Sequence, residues 1–333
     1  QYMVNAADIG NYTTQKLNAN GSTLYDNPRT YDVTYTQTAP YAVLNWDKDQ
    51  LNLDASVRNN SFTASGATYR PYTDSAGNYT KTGWDPASKD TVNYRMNKNS
   101  YSLGANYTIN RDLSVYSRIS DGHVMPNERS MYGTVNGALN GHAPGINQVK
   151  QQEAGVKYRD GNFNMFATYF QAQTDENNYE VTTNTTTANS YESKGVELEV
   201  GYKSGGFRLG GGVTLTDAKI VKSNTQANVG HRPKNQAPVM YQFTPSYSFG
   251  QTEVGVAVIG TTDSYYGEDN AVKMPGYTLT NLFVNYKIDK KATANFSVAN
   301  LFDKDAYTEG NVGAGFIRSI PGRTARASIR YEF

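Results

Sequence analysis

The chain has 333 residues, with 31 Lys and Arg against 30 Asp and Glu, a net charge of +1 and no Cys. That balance supplies no long-range field to steer nucleic acid. The lack of Cys excludes disulfides, Cys-ligated zinc, iron–sulfur clusters and thiol catalysis. Hydrophobic residues make up 38% and charged residues 18%, below the soluble averages of about 45–50% and about 25%. With 27 Tyr and 30 Gly, the chain is too poor in aliphatics for a soluble two-domain core and too aromatic for disorder. No apolar run approaches the about 18 residues of a transmembrane helix. What remains is a class in which each strand hides one face and keeps the other wet.

Alternation with a period of two begins near residue 31 and recurs to the end. The predicted strands, about 13 in all, are 33–46, 50–64, 95–109, 112–121, 148–159, 162–174, 190–203, 206–219, 237–249, 252–265, 276–288, 291–301 and 322–333. In 51–58, Leu51, Leu53, Ala55 and Val57 oppose Asn52, Asp54, Ser56 and Arg58. In 196–203, Val196, Leu198, Val200 and Tyr202 oppose Glu197, Glu199 and Lys203. In FNMFATYF (163–170) Phe falls on both faces.

The connections alternate in length. Short ones are Asp47–Gln50, Asn110–Asp112, Asp160–Gly161, Ser204–Gly205, Gly250–Gln251 and Asp289–Lys290. Long, polar ones cover roughly 65–94, 122–147, 175–189, 220–236, 266–275 and 302–321. This alternation predicts an all-β, antiparallel up-and-down meander with tight turns at one end. Strands this long suit a transmembrane barrel with short periplasmic turns and long extracellular loops, which must close because lipid satisfies no backbone polar group. The Tyr excess fits interfacial girdles, with Tyr25, Tyr31, Tyr35, Tyr265 and Tyr266 near loop ends as candidates. An odd count near 13 does not close a bacterial single-chain barrel. Either residues 1–32 hold one more strand or the chain is the later part of a larger barrel.

Several stretches resemble the C-terminal barrel region of TonB-dependent outer-membrane receptors. They are SYESKGVELEVGYKSGGFRLGGGVTLTDAKI (190–220), HRPKNQAP (231–238), MPGYTLTNLFVNYKI (274–288), FSVANLFDKDAY (296–307), IPGRTARASIRYEF (320–333) and, earlier, SYSLGANYTINRDLSVYSRISDGHVMPNER (100–129). The resemblance implies the C-terminal portion of a 22-stranded barrel over 1–333, with the plug domain not present in this chain. It also implies a bacterial outer-membrane location, outer-membrane lipid as surroundings, and TonB with its inner-membrane energising complex as a partner reached through a plug. Ala327, Ile329, Tyr331 and Phe333 match an assembly signal read by the barrel-assembly machinery. A lipid-facing strand that simply ends in Phe is the alternative; the signal is favoured because a barrel strand must be recognised before it inserts.

Catalysis finds no set of residues. His123, His142 and His231 lie in predicted long loops without metal-ligand spacing, and no cofactor motif is present. Asp303 and Asp305 are read as shaping a strand end and not as calcium ligands. Glu197 and Glu199 are read as lumen carboxylates facing Lys and Arg of a plug. The function expected is active import of a scarce small-molecule nutrient, a ferric siderophore, a saccharide or a corrinoid, captured on extracellular loops. Candidate contacts are His123, Arg129, Tyr132, His142, His231, Arg232, Tyr265, Tyr266 and Arg318. Each taken singly is more simply an exposed loop residue. The alternative is a passive, self-closed porin-like channel. A surface adhesin would need apolar anchors that these polar loops lack, and an enzyme ranks last.

Overall fold

The computed structural model describes residues 30–73, 79–124, 146–180, 185–311 and 316–332. Its elements are strands β1 (Thr30–Thr38), β2 (Tyr41–Lys48), β3 (Leu51–Tyr69), β4 (Pro71–Thr73), β5 (Tyr79–Trp84), β6 (Asp90–Thr108), β7 (Leu113–Val124), β8 (Asn147–Asp160), β9 (Phe163–Glu180) and β10 (Thr185–Ser204). They continue with β11 (Phe207–Lys222), β12 (Val239–Phe249), β13 (Thr252–Thr261), β14 (Ser264–Tyr265), β15 (Lys273–Met274), β16 (Tyr277–Lys287), β17 (Ala292–Ala299), β18 (Tyr307–Asn311), β19 (Phe316–Ser319) and β20 (Thr324–Tyr331). Among the described residues two single-turn 3-10 segments lie at Pro86–Ser88 and Gln226–Asn228.

One antiparallel sheet runs in the order β1–β3–β6–β7–β8–β9–β10–β11–β12–β13–β16–β17–β20, with β2 also on β3. β1 pairs with residues 61–69 of β3 and β2 with 51–58 of the same strand, so the two share one strand position. The sheet therefore has 13 positions in up-and-down order, as the alternation predicts. The strand expected over 33–46 divides at Ala39–Pro40 because Pro has no N–H to give to the ladder. There the chain's carbonyl still serves: Asn59 N donates to Pro40 O at 3.0 Å.

The tight turns all lie at one end. Gly161, Gly205 and Gly250 take φ of +50°, +55° and +56°, the left-handed conformation that costs glycine least. Asp49 (φ +51°) does the same at the first turn.

The two faces separate as the sequence requires. Register places Val196, Leu198, Val200 and Tyr202 beside Leu215, Val213, Gly211 and Leu209 on one side and Tyr169, Ala167, Met165 and Phe163 on the other. On β20, Ala325, Ala327, Ile329 and Tyr331 continue this outward face, opposite Val298, Phe296, Ala294 and Ala292. Leu198, Val57, Ile119 and Ile329 are exposed on it. The inward face carries Asp54, Arg118, Glu153, Glu197, Glu199 and Glu253. Arg118 Nη2 meets Asp54 Oδ1 at 2.7 Å and its Nη1 donates to Ser102 Oγ at 2.6 Å. Phe166 and Phe170 share this inward face with Thr168, which resolves the ambiguity of 163–170: the outward members are Phe163, Met165, Ala167 and Tyr169.

Aromatic side chains gather on the outward face at the tight-turn rim. Tyr158 and Phe163 flank one tight turn and Tyr202 and Phe207 the next, while Tyr247 and Phe249 sit together at the end of β12, with ring centroids 6.2–6.3 Å apart. Tyr107, Tyr286 and Tyr331 extend the belt. This corrects the girdle expected from loop-end tyrosines. Tyr35 stacks on Phe62 at 5.7 Å inside a small core of Phe62, Ala64, Val92 and Met96. Tyr266 is buried and Tyr265 lies under Arg232. Tyr25 is outside the described residues, as is the side chain of Tyr31.

The strands run further than the alternation. β9 and β10 pair up to Glu180 and Thr185, so most of the loop expected over 175–189 is a hairpin rising beyond the apolar band. β3 and β6 likewise continue pairing to Thr68 and Asp90.

Candidate functional site

Beyond the apolar band, two long connections are tied to each other. The first joins β11 to β12 and the second joins β13 to β16. The first turns back on its own strand: Gly230 N donates to Ile220 O and Ile220 N to His231 O, both at 2.8 Å. Ile220 is fully enclosed beneath it. The second carries the small β14–β15 ladder, Ser264 to Met274 and Tyr265 to Lys273.

Glu268 is the centre of the tie. Its carboxylate accepts from Asn189 Nδ2 at 2.8 Å, from the Tyr191 hydroxyl at 3.3 Å and from Asn228 Nδ2 at 3.5 Å. His231 Nδ1 lies 3.0 Å from the backbone carbonyl of Glu268. Since a carbonyl only accepts, Nδ1 is the donor in this bond. Asn270 closes the other side, its Nδ2 donating to Arg232 O at 2.8 Å and its Oδ1 accepting from Arg232 N at 3.0 Å. Arg232 stacks over the Tyr265 ring at 5.4 Å and reaches the Asp263 carbonyl at 3.3 Å. Lys273 Nζ meets Asp263 Oδ2 at 3.6 Å. Tyr191 lies beyond the about 9–11 residues that a spanning strand needs above its tight turn. Burial, with the Glu268 and Glu176 carboxylates nearby, pushes its phenol up, well above the ordinary tyrosine value. It therefore remains a donor to Glu268.

The structure thus brings His231, Arg232, Tyr265 and Tyr266 into one assembly. Their partners Glu268, Asn270, Asn189, Tyr191 and Asp263 had no signal in the sequence, because one acid or amide in a polar loop looks like any other. His123 is elsewhere, at the end of β7, with its side chain only 8% exposed. Ser100 Oγ and Asp121 Oδ1 lie 3.4 and 3.7 Å from it. Both approach the same ring nitrogen, Nδ1, so these three groups do not form the relay in which Ser and Asp use opposite nitrogens. Arg318 is separate again, exposed on the β18–β19 hairpin and 3.0 Å from Glu309. Arg129, Tyr132, His142 and Phe333 lie outside the described residues. Ala327, Ile329 and Tyr331 share the outward face of β20.

Asp303 shapes a strand end. Its φ is +52° and its Oδ1 accepts from Arg323 N at 2.7 Å. Beside it, buried Asn300 bonds Lys304 O, Pro321 O and Lys304 N at 2.9, 3.2 and 2.8 Å. The Asn-Leu-Phe-Asp element is therefore a structural clasp joining β17 to the approach of β20. Among the described residues no group of His and carboxylates has the arrangement of a metal site.

An apolar band facing outward, a polar wall facing inward, tight turns at one rim and tied loops at the other define the wall of a transmembrane β-barrel. The family description "TonB dependent receptor-like, beta-barrel" matches residues 3–301. The chain belongs to this family of outer-membrane receptors, which are transporters and not enzymes. The ferrichrome receptor FcuA of Yersinia enterocolitica is 27% identical over 202 residues, covering 58% of this chain and 26% of that protein. The probable TonB-dependent receptor BfrD of Bordetella pertussis is 25% identical over 134 residues, covering 37% and 18%. Among solved structures, the siderophore receptor PiuA of Acinetobacter baumannii superposes with a TM-score of 0.73 at 18% identity, over 90% of this chain and 43% of that one. The ferric yersiniabactin receptor FyuA of Yersinia pestis gives 0.71 at 17%, over 90% and 46%. The chain thus spans under half of those structures and a smaller share of the curated relatives.

Proposed function

We propose that this chain forms the later part of the barrel of an outer-membrane receptor that captures a ferric siderophore at its extracellular mouth and imports it with TonB-derived energy. The observation that carries the reading is the tied loop assembly around Glu268, set above a polar inner wall. Rigid loops lower the ordering cost of ligand capture. The names of the relatives, a ferrichrome receptor and a siderophore receptor among them, favour the iron chelates over a saccharide or a corrinoid.

In this reading Arg232, Tyr265, Lys273 and His231 offer cationic, aromatic and imidazole groups at the rim. Glu197 and Glu199, which form no ion pair among the described residues, offer an anionic inner surface to basic side chains of a plug. The plug would answer TonB and release the ligand inward. The test is uptake. Deleting 122–147, the long connection beside His123, is expected to abolish import while the barrel still assembles. Unchanged import would remove that connection from the site. Steady open conductance in planar bilayers, together with solute flux that ignores TonB, would replace this reading with a passive channel.

A further inference from the structure

The outward face changes chemistry at one height. On β10 and β11 the apolar run ends at Val196 and Leu215. The next outward residues form exposed ion pairs, Lys194 with Asp217 at 3.8 Å and Lys219 with Glu192 at 3.6 Å. On β8 and β9 it ends at Ala154 and Tyr169, followed by Gln152 and Gln171, whose amides bond at 3.0 Å. On β3 and β6 it ends at Val57 and Tyr101, followed by Asn59 and Asn99, bonded at 2.6 Å. A step from aliphatic to amide and lysine across neighbouring strands marks the upper surface of the bilayer.

At that step the outward face holds a groove of about 280 Å³ lined by Tyr101, Ile119, Lys150, Gln152, Gln171 and Glu192. Its lower side is apolar, with Tyr101 and Ile119 exposed. Its upper side is amide and cation. Lys150 is exposed and has no carboxylate within ion-pair distance among the described residues. Asp121, which faces it across the β7–β8 ladder, is instead engaged by Gln148 Nε2 at 2.8 and 3.0 Å. Lys219 stands on the far side of Glu192.

We propose that this groove seats the headgroup of an outer-leaflet lipid whose head is both phosphorylated and rich in hydroxyls. Lys150 meets a phosphate, the Gln152 and Gln171 amides meet hydroxyls, and Tyr101 with Ile119 guide the first methylenes of an acyl chain. Amides donate and accept at once, as hydroxyl groups require, so two of them side by side suit a sugar head with many hydroxyls better than a glycerol head with two. The position at the edge of the lipid-facing band commits the site to a membrane lipid and not to a soluble phosphate. The inference does not depend on which nutrient is carried.

The test is native mass spectrometry of the whole protein released from micelles doped with lipid A, dephosphorylated lipid A or phosphatidylglycerol. Lipid A is expected to remain bound, with at least about fivefold less retention of each of the other two. Lys150→Ala is expected to lower lipid A retention by about fivefold, and Gln152→Leu with Gln171→Leu to do the same while leaving the charge intact. Lys290→Ala, in a tight turn at the opposite rim, should change nothing. Heat-modifiable electrophoretic mobility confirms that each variant is folded. Equal retention of the three lipids, or retention unmoved by both groove variants, overturns the proposal.

Discussion

Asn189 Nδ2 donates to Glu268 Oε1 at 2.8 Å, joining the start of β10 to a loop 79 residues further along the chain. Asn189 is 5% exposed, so the bond is made where water is scarce. Glu268→Ala removes the acceptor of Asn189, Tyr191 and Asn228 together. A buried donor left unpaired costs about 1–3 kcal/mol. The expected outcome is local: faster hydrogen exchange over 226–236 and 262–272, with β10–β11 amides unchanged. Exchange that stays slow in both loops would show that backbone bonds alone hold them.

The same cluster has a pH signature. A phenol with a raised folded-state value contributes stability that is complete below about pH 10, the unfolded value, and is lost as pH rises through the higher folded value. The unfolding temperature should therefore fall as pH rises above about 10, and Tyr191→Phe should shrink that fall. An identical alkaline loss in the variant would assign it to other groups.

Leu198 and Glu197 are neighbours on β10 that face opposite sides. A basic residue on the lipid face near the bilayer middle costs about 2–4 kcal/mol, while lumen changes are tolerated. Leu198→Arg should lower the unfolding free energy in lipid vesicles by that amount, and Glu197→Arg should lower it far less. Equal losses would contradict the assignment of faces.

Asn300 combines a left-handed backbone, φ +49°, with three side-chain bonds and 3% exposure. Ala tolerates that backbone poorly and cannot bond Lys304 or Pro321. Asn300→Ala should destabilise the barrel by about 2–4 kcal/mol, read from denaturant titration. Asn300→Gly, which keeps the backbone, should lose less.

Gly195 faces inward against Phe170. A Cβ at this position would sit 2.1 Å from Leu215 O and 2.6 Å from the Phe170 ring, closer than packed atoms tolerate. Gly195→Val should impair folding, seen as loss of the heat-modifiable band, and Gly210→Val, where no atom lies within 4 Å of the added Cβ, should not.

The membrane-spanning part of the fold was readable because lipid imposes a strict period on each strand. Leu51 to Val57 and Val196 to Tyr202 therefore announce both strand and face. Above the bilayer that constraint lapses. Residues such as Glu176, Asn178 and Thr187 pair as strand without alternating, and β4, β5 and β15 sit in stretches that read only as polar loop. The break at Ala39–Pro40 was visible in principle, since Pro cannot donate. Nearness to a loop end does not place a ring at an interface: Tyr35 packs on Phe62 and Tyr266 is buried. Tyr202 and Phe207, one on each side of a tight turn, carry the better signal. His231, Arg232, Tyr265 and Tyr266 were named individually, but their assembly depends on contacts between distant loops that no local pattern encodes.

The most direct test of the transport account is accumulation of radiolabelled ferric siderophore by cells carrying the whole protein, with and without functional TonB. The account predicts saturable uptake with TonB, surface binding alone without it, and loss of both binding and uptake when Arg232, Tyr265 and Lys273 are replaced together by Ala. Uptake that proceeds equally without TonB, or accumulation that never rises above that of cells lacking the protein, would contradict it.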